Sequence, residues 1–209
     1  MSLQPELLPG LNITLVYDAL PLDRLDRNRL RAVFNDKQLT VMDIPELAVM
    51  FAPTHAVVAQ FGDQRVRLTD QRQHAVEQSP LADLATQIAE VIQGSRLMAY
   101  GFNYEISLVS DDSQTAAQML KTRFLPDEEQ LALLVGGQIE IVAPRLVFWR
   151  SGVRYDLFFD PNPQQLKAHL NVHFAASGLP GVKALKEAMR TEYNLFAGAL
   201  VGLFSGTRQ

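Results

Sequence analysis

A chain of 209 residues that is 47% hydrophobic and 20% charged carries enough apolar material for a continuous core without cross-links. It holds no cysteine, which excludes disulfides, thiol nucleophiles, iron–sulfur clusters and cysteine-ligated zinc. Its formal charge of -4 repels phosphate at long range, so only a local basic patch could engage nucleic acid.

The opening MSLQPELLPG lacks a basic leader, and Asn12, Thr14 and Asp18 interrupt the apolar letters that follow. A signal peptide or membrane span is not expected there, and the cytoplasm is the expected compartment. Residues 11–20 alternate Ile13 and Leu15 against Asn12, Thr14 and Val16, the period of a strand. In 22–34, Leu22, Leu25, Leu30, Val33 and Phe34 gather on one side of a 3.6-residue period, predicting a helix. Asp23 stands four residues before Arg27, a spacing that predicts an ion pair.

From 38 to 70 the period shortens to two. Four short runs, broken around Pro45, Pro53 and Gly62-Asp63, predict antiparallel strands, with Arg65 and Arg67 sharing a face of the last. Ser79-Pro80 opens an amphipathic helix carrying Leu81, Leu84, Ile88, Val91 and Ile92, and Gly94 stops it. A long strand over 95–112 alternates Met98, Tyr100, Phe102 and Tyr104 with Ala99, Gly101, Asn103 and Glu105. Gly101 marks a bulge or a close backbone approach.

A third helix is predicted over 113–124, followed by the acidic break Pro126-Asp127-Glu128-Glu129-Gln130. That break separates an N-terminal α+β half, 1–125, from a β-rich half with a long terminal helix, 126–209, the two forming one compact domain. LALLVGGQIEIVAP, RLVFWR, VRYDLFFD and LKAHLNVHFAA read as further strands, with a hairpin turn at Ser151-Gly152. In the last run Leu166, Ala168, Leu170, Val172 and Phe174 point inward, and Lys167, His169, Asn171 and His173 outward. A helix over 181–203 carries Val182, Leu185, Met189, Tyr193, Phe196, Leu200 and Leu203, and its final turns are apolar on nearly every side.

Strands cluster apart from helices, which places the chain in the α+β class. The expected architecture is a curved, mainly antiparallel sheet packed against amphipathic helices, and the repeated order of elements leaves open two similar, intimately packed halves. Phe148 and Trp149 point to opposite faces, as do Phe158 and Phe159, so both faces of the hairpin around Gly152 are expected to be covered. Helices can cover one. The other needs a closed barrel-like sheet, a ligand or a second subunit.

Catalytic signatures are sparse. His169 and His173 lie four apart on a strand, about 13 Å, too far for one metal ion, and no metal or cofactor is expected. Asp156 and Asp160 are separated by the same span, beyond the reach of a paired-carboxylate hydrolase. No glycine pattern cradles phosphate, no serine sits in a nucleophile elbow, and no catalytic residue is assigned. Asn103 and Glu105 share a strand face. With Arg65, Arg67 and His55 on neighbouring strands they would line a polar pocket.

The favoured function is a protein that self-associates, as a homodimer or other homo-oligomer, or binds another protein. Trp149, Arg154, Phe158, Tyr193, Phe196 and Leu200 are its interface candidates. The alternative is a small-molecule-binding protein or enzyme with a pocket between sheet and terminal helix, its candidates being Tyr100, Asn103, Tyr104, Glu105, Arg65 and Arg67. A third reading places nucleic acid on Arg24, Arg27 and Arg31 with Arg65, Arg67 and Arg72. The acids interleaved among the helical arginines argue against it.

Overall fold

The computed structural model describes residues 3–5, 10–72, 74–92, 94–110, 116–162 and 165–204. In chain order these form β1 (Leu3–Pro5), β2 (Gly10–Tyr17), α1 (Arg27–Phe34), β3 (Thr40–Ile44), β4 (Leu47–Ala52), β5 (Val57–Gly62), β6 (Arg65–Asp70) and α2 (Leu81–Val91). There follow β7 (Leu97–Ser110), α3 (Ala116–Phe124), α4 (Glu128–Val135), β8 (Arg145–Arg150), β9 (Val153–Asn162), β10 (Gln165–Ala175) and α5 (Val182–Phe204).

The strands join one antiparallel sheet in the order β3-β4-β5-β6-β2-β7-β10-β9-β8, with β1 beside β7. The fold is α+β as its residue pattern predicts, but the sheet is open. The expected curved sheet, for which two similar packed halves were left open, is therefore corrected to a single open layer with β3 and β8 as separate edges. The apolar letters on both sides of the β8–β9 hairpin make a closed, barrel-like sheet one of three covers expected for it. The chain instead leaves Trp149 67% exposed.

Strand periodicity sorts the sheet into two faces. Leu11, Ile13 and Leu15 of β2, Phe102, Tyr104 and Ile106 of β7 and Leu166, Ala168 and Val172 of β10 all belong to the buried core. Against this inner face pack Leu30 and Phe34 of α1, Leu81, Leu84 and Ile88 of α2, Leu120 of α3 and Leu185, Met189, Phe196 and Leu200 of α5. The Tyr104 hydroxyl donates to the Met189 carbonyl at 2.8 Å, tying the central strand to α5. The outer face carries the polar alternates, among them Asn12, Thr14, Asn103, Glu105, His169 and Asn171, all half-buried.

Local chemistry accounts for several boundaries. The helix predicted from Leu22 is split into a 3-10 turn, Leu22–Arg24, and α1, because the Asp26 carboxylate accepts from the N–H groups of Asn28 and Arg29 and so caps a new start. Arg27 then pairs bidentately with Asp43 of β3, at 2.9 and 3.0 Å, instead of with Asp23. The run LALLV, expected as strand, is the helix α4. Asp127, Glu128 and Glu129 favour its positive end, and Gly136 closes it at φ 66°. Asp63 and Gln64 turn the β5–β6 hairpin and Ser151 and Gly152 the β8–β9 hairpin, all four at positive φ.

Asp70 closes β6 as the most buried carboxylate of the core, 3% exposed. It accepts from Ser79 Oγ at 2.8 Å, His74 Nδ1 at 2.8 Å and the Arg72 N–H at 3.0 Å, anchoring the connection into α2. Asp70→Ala orphans these donors together and is expected to cost about 2–3 kcal/mol in urea unfolding. A loss near zero would mean that water replaces the carboxylate freely. Among the described residues no helix is long and apolar enough to cross a membrane.

Candidate functional site

Two features of the surface stand apart, a polar groove on the outer face and an apolar edge at β8. The groove forms where strand register aligns short polar side chains. Thr69, Asn12, Asn103, Asn171 and Asp156 are successive cross-strand partners over β6, β2, β7, β10 and β9. The three asparagines hydrogen-bond in series: Asn103 Nδ2 donates to Asn12 Oδ1 at 2.6 Å, and Asn171 Nδ2 donates to Asn103 Oδ1. Thr14 Oγ1 adds a weak bond to Asn12.

Next along the strands, Gly10, Glu105, His169 and Phe158 face one another in register. Lys167 donates to Glu105 at 2.6 Å, His169 Nδ1 lies 3.5 Å from the same carboxylate, and the His169 and Phe158 rings stack at 4.4 Å. With Arg67, Thr69 and Gln71 on the far side, these groups enclose a groove of about 390 Å³, within the range of small-ligand sites.

Of the six ligand candidates read from the residue pattern, Arg67, Asn103, Tyr104 and Glu105 border this groove. The Tyr104 ring itself lies on the opposite face. Tyr100 is also on the inner face, stacked on Phe174 at 4.8 Å. Arg65 lies in a neighbouring depression with Glu46 and Gln60. His55 is elsewhere, its Nε2 2.9 Å from the Phe34 carbonyl at the end of α1. The space between sheet and α5, expected to hold a pocket, is filled by Tyr104, Leu185, Met189 and Phe196. Sequence reasoning missed Asn12, Asn171 and His169 as groove residues. Their outward parity was legible, but their adjacency to Asn103 and Glu105 depends on strand order.

Burial lowers both outer-face imidazoles below the usual histidine range. At His169 it outweighs the opposing pull of Glu105, and at His173 the Arg154 guanidinium adds to it. An unfolded chain takes up these protons as pH falls through about 6.5, whereas the folded chain resists. Stability is therefore expected to fall as pH drops below about 6.5, towards the lower folded-state values. Urea midpoints at neutral and mildly acidic pH should differ less in a His169→Gln/His173→Gln variant. An equal pH slope in both proteins would assign the effect to other groups.

At the sheet edge, Asp156 takes a bidentate pair from Arg145, at 2.8 and 2.6 Å, with Arg154 at 3.8 Å. The Arg145 hydrogen bonds hold its carboxyl below the ordinary range. Asp156 is thus engaged in joining β8 to β9. On the inner face Arg150 reaches Tyr155 at 3.1 Å and Glu192 of α5 at 3.4 Å. Outside these pairs β8 is apolar and uncovered: Leu146, Val147, Phe148 and Trp149 are 40, 50, 42 and 67% exposed. The preceding segment exposes Leu133, Leu134, Val135 and Ile141 by 83, 76, 64 and 58%.

The interface candidates divide accordingly. Trp149 and Phe158 are exposed, Arg154 and Tyr193 half-buried, and Phe196 and Leu200 belong to the chain's own core. Leu195 and Val201 are the exposed large apolar residues among those described in α5. The expected cover over both faces of the hairpin is absent within the described chain at Trp149, while Phe158 borders the groove and rests on His169. Arg24 and Arg31 are exposed on α1 and the turn before it, apart from Arg27, which Asp43 engages. Among the described residues no group of three or more His, Asp or Glu side chains could hold a metal ion. No family model matches the chain, and no curated protein matches its sequence.

Proposed function

We propose that the protein self-associates through β8, adding a second copy's β8 to its sheet. The carrying observation is the uncovered apolar edge from Leu146 to Trp149, which ends the path of paired strands running from β3 to β8. Phe159 N–H donates to the Pro144 carbonyl at 3.2 Å, and Arg150 pairs with Val153 across a two-residue turn. By antiparallel alternation the even-numbered residues of β8 turn their backbone groups to β9, leaving those of Arg145, Val147 and Trp149 directed outward. Such an edge is a template for another strand.

A second copy fits this strand because RLVFWR has four apolar residues between terminal arginines and presents the same pattern to an antiparallel copy of itself. Centred on Phe148, the pairing sets Val147 against the other copy's Trp149, an aromatic and β-branched pair on one face, and leaves Arg145 outside the overlap. Light scattering should give twice the chain mass at micromolar concentration. Trp149 is the one tryptophan, so its emission should shift to shorter wavelength as dilution is reversed. Val147→Pro removes an outward N–H, and Trp149→Lys places a charge in the contact. Each is expected to weaken association about thirtyfold or more, about 2 kcal/mol, with unchanged circular dichroism. A wild-type chain of monomer mass at every concentration, with solvent-exposed Trp149 emission throughout, would overturn the proposal.

A further inference from the structure

The outer-face groove is independent of the β8 edge and points to a different kind of occupant. Its floor is the asparagine row, whose primary amides each offer donors and an acceptor. The series of bonds leaves the Asn12 amide N–H groups and the Asn171 amide oxygen at its two ends for further partners. Successive strands set these amides about 4.8 Å apart, so the row presents polar contacts across roughly 10 Å.

Hydroxyl groups, which donate and accept at once, match such a mixed surface better than a uniformly charged ligand would. Glu105 supplies an acceptor beside the row, held by Lys167, and the stacked His169 and Phe158 rings close the β9 end of the groove. Arg67 completes the arrangement. It borders the groove as an exposed guanidinium and has no hydrogen bond or ion pair among the described residues, in contrast to Arg27, Arg145 and Arg150. A planar fork of donors left open in this way suits a carboxylate or phosphate.

We propose that this groove binds a sugar bearing one acidic substituent, with its hydroxyls on the Asn12–Asn103–Asn171 row and its anionic group on Arg67. Glucose, glucuronate and glucose 6-phosphate serve as probes, titrated into the labelled protein while the side-chain amide signals of the three asparagines are followed by NMR. At least one acidic sugar is expected to shift these signals in a saturable manner, about tenfold more tightly than glucose, and the two acidic probes distinguish a carboxylate from a phosphate requirement. Arg67→Met should weaken the acidic probe about tenfold while leaving glucose unchanged, and Asn171→Ala should weaken all three.

Both variants alter outer-face side chains, and their circular dichroism should match the parent. Absence of shifts with every probe at millimolar concentration overturns the proposal. So does equal binding of glucose and the acidic sugars, or an Arg67→Met variant that retains full affinity. Because β8 contributes no residue to the groove, failure here leaves the self-association reading intact, and a monomeric wild-type chain leaves this one intact.

Discussion

Phe196→Asp is expected to prevent the chain from folding, rather than to release a folded monomer. Phe196 is 3% exposed and packs with Tyr104, ring centroids 6.5 Å apart, in the layer between α5 and the central strand. Removing a buried phenyl ring costs about 3–5 kcal/mol. The substitution also places a carboxyl in that apolar layer, and burying it unpaired adds further cost. Together these approach the whole stability of an ordinary domain, about 5–15 kcal/mol. The measurement is far-UV circular dichroism with a urea titration of whatever soluble protein is recovered. Phe196→Leu, which keeps most of the apolar volume, should remain folded and lose only about 1–2 kcal/mol. A folded Phe196→Asp chain with altered mass would instead put Phe196 between two copies and contradict its place in the core.

The residue pattern ranks Phe196 as an interface anchor because the final turns of α5 are apolar nearly all round, and periodicity alone does not say which side meets the sheet. Packing supplies that answer, burying Phe196, Leu200 and Phe204 and exposing Leu195 and Val201. Strands were legible for the same reason that helix faces were not. A two-residue period has only two sides, so the division of Leu166, Ala168, Leu170 and Val172 from Lys167, His169, Asn171 and His173 could be read directly. What alternation could not provide was the order of strands. Asn12 and Asn171 flank Asn103 only because β2 and β10 flank β7, a pairing that brings Asn12 to Asn103 across 91 residues. The α4 segment failed differently: its apolar run suited a strand, while the acids before it and Gly136 after it were the helix signals that prevailed.

Gly101→Val is expected to produce the second large loss, for a reason visible in the middle of β7. A Cβ built on Gly101 would lie 2.6 Å from the Val172 carbonyl oxygen, and the nearby atoms are all backbone of β10. No side-chain rotation can relieve that contact, so the strands must part where Gly101 pairs with Thr14 on one side and His173 on the other. The register runs without a shift from Leu166 to Ala175, so of the two explanations open for this glycine the close approach holds and the bulge does not. Alanine at an extended position normally gains stability over glycine through chain entropy. Here the clash should reverse the sign, giving a loss of about 1–3 kcal/mol for Gly101→Ala and more for Gly101→Val, whose branches add bulk at the same contact. Gly178→Ala is the control, since its Cβ would meet no atom within 4 Å, and its urea midpoint should stay within about 0.5 kcal/mol of the parent. A neutral or stabilising Gly101→Ala would mean that β7 and β10 lie farther apart than this contact requires, and the asparagine row that depends on their spacing would lose its basis with it.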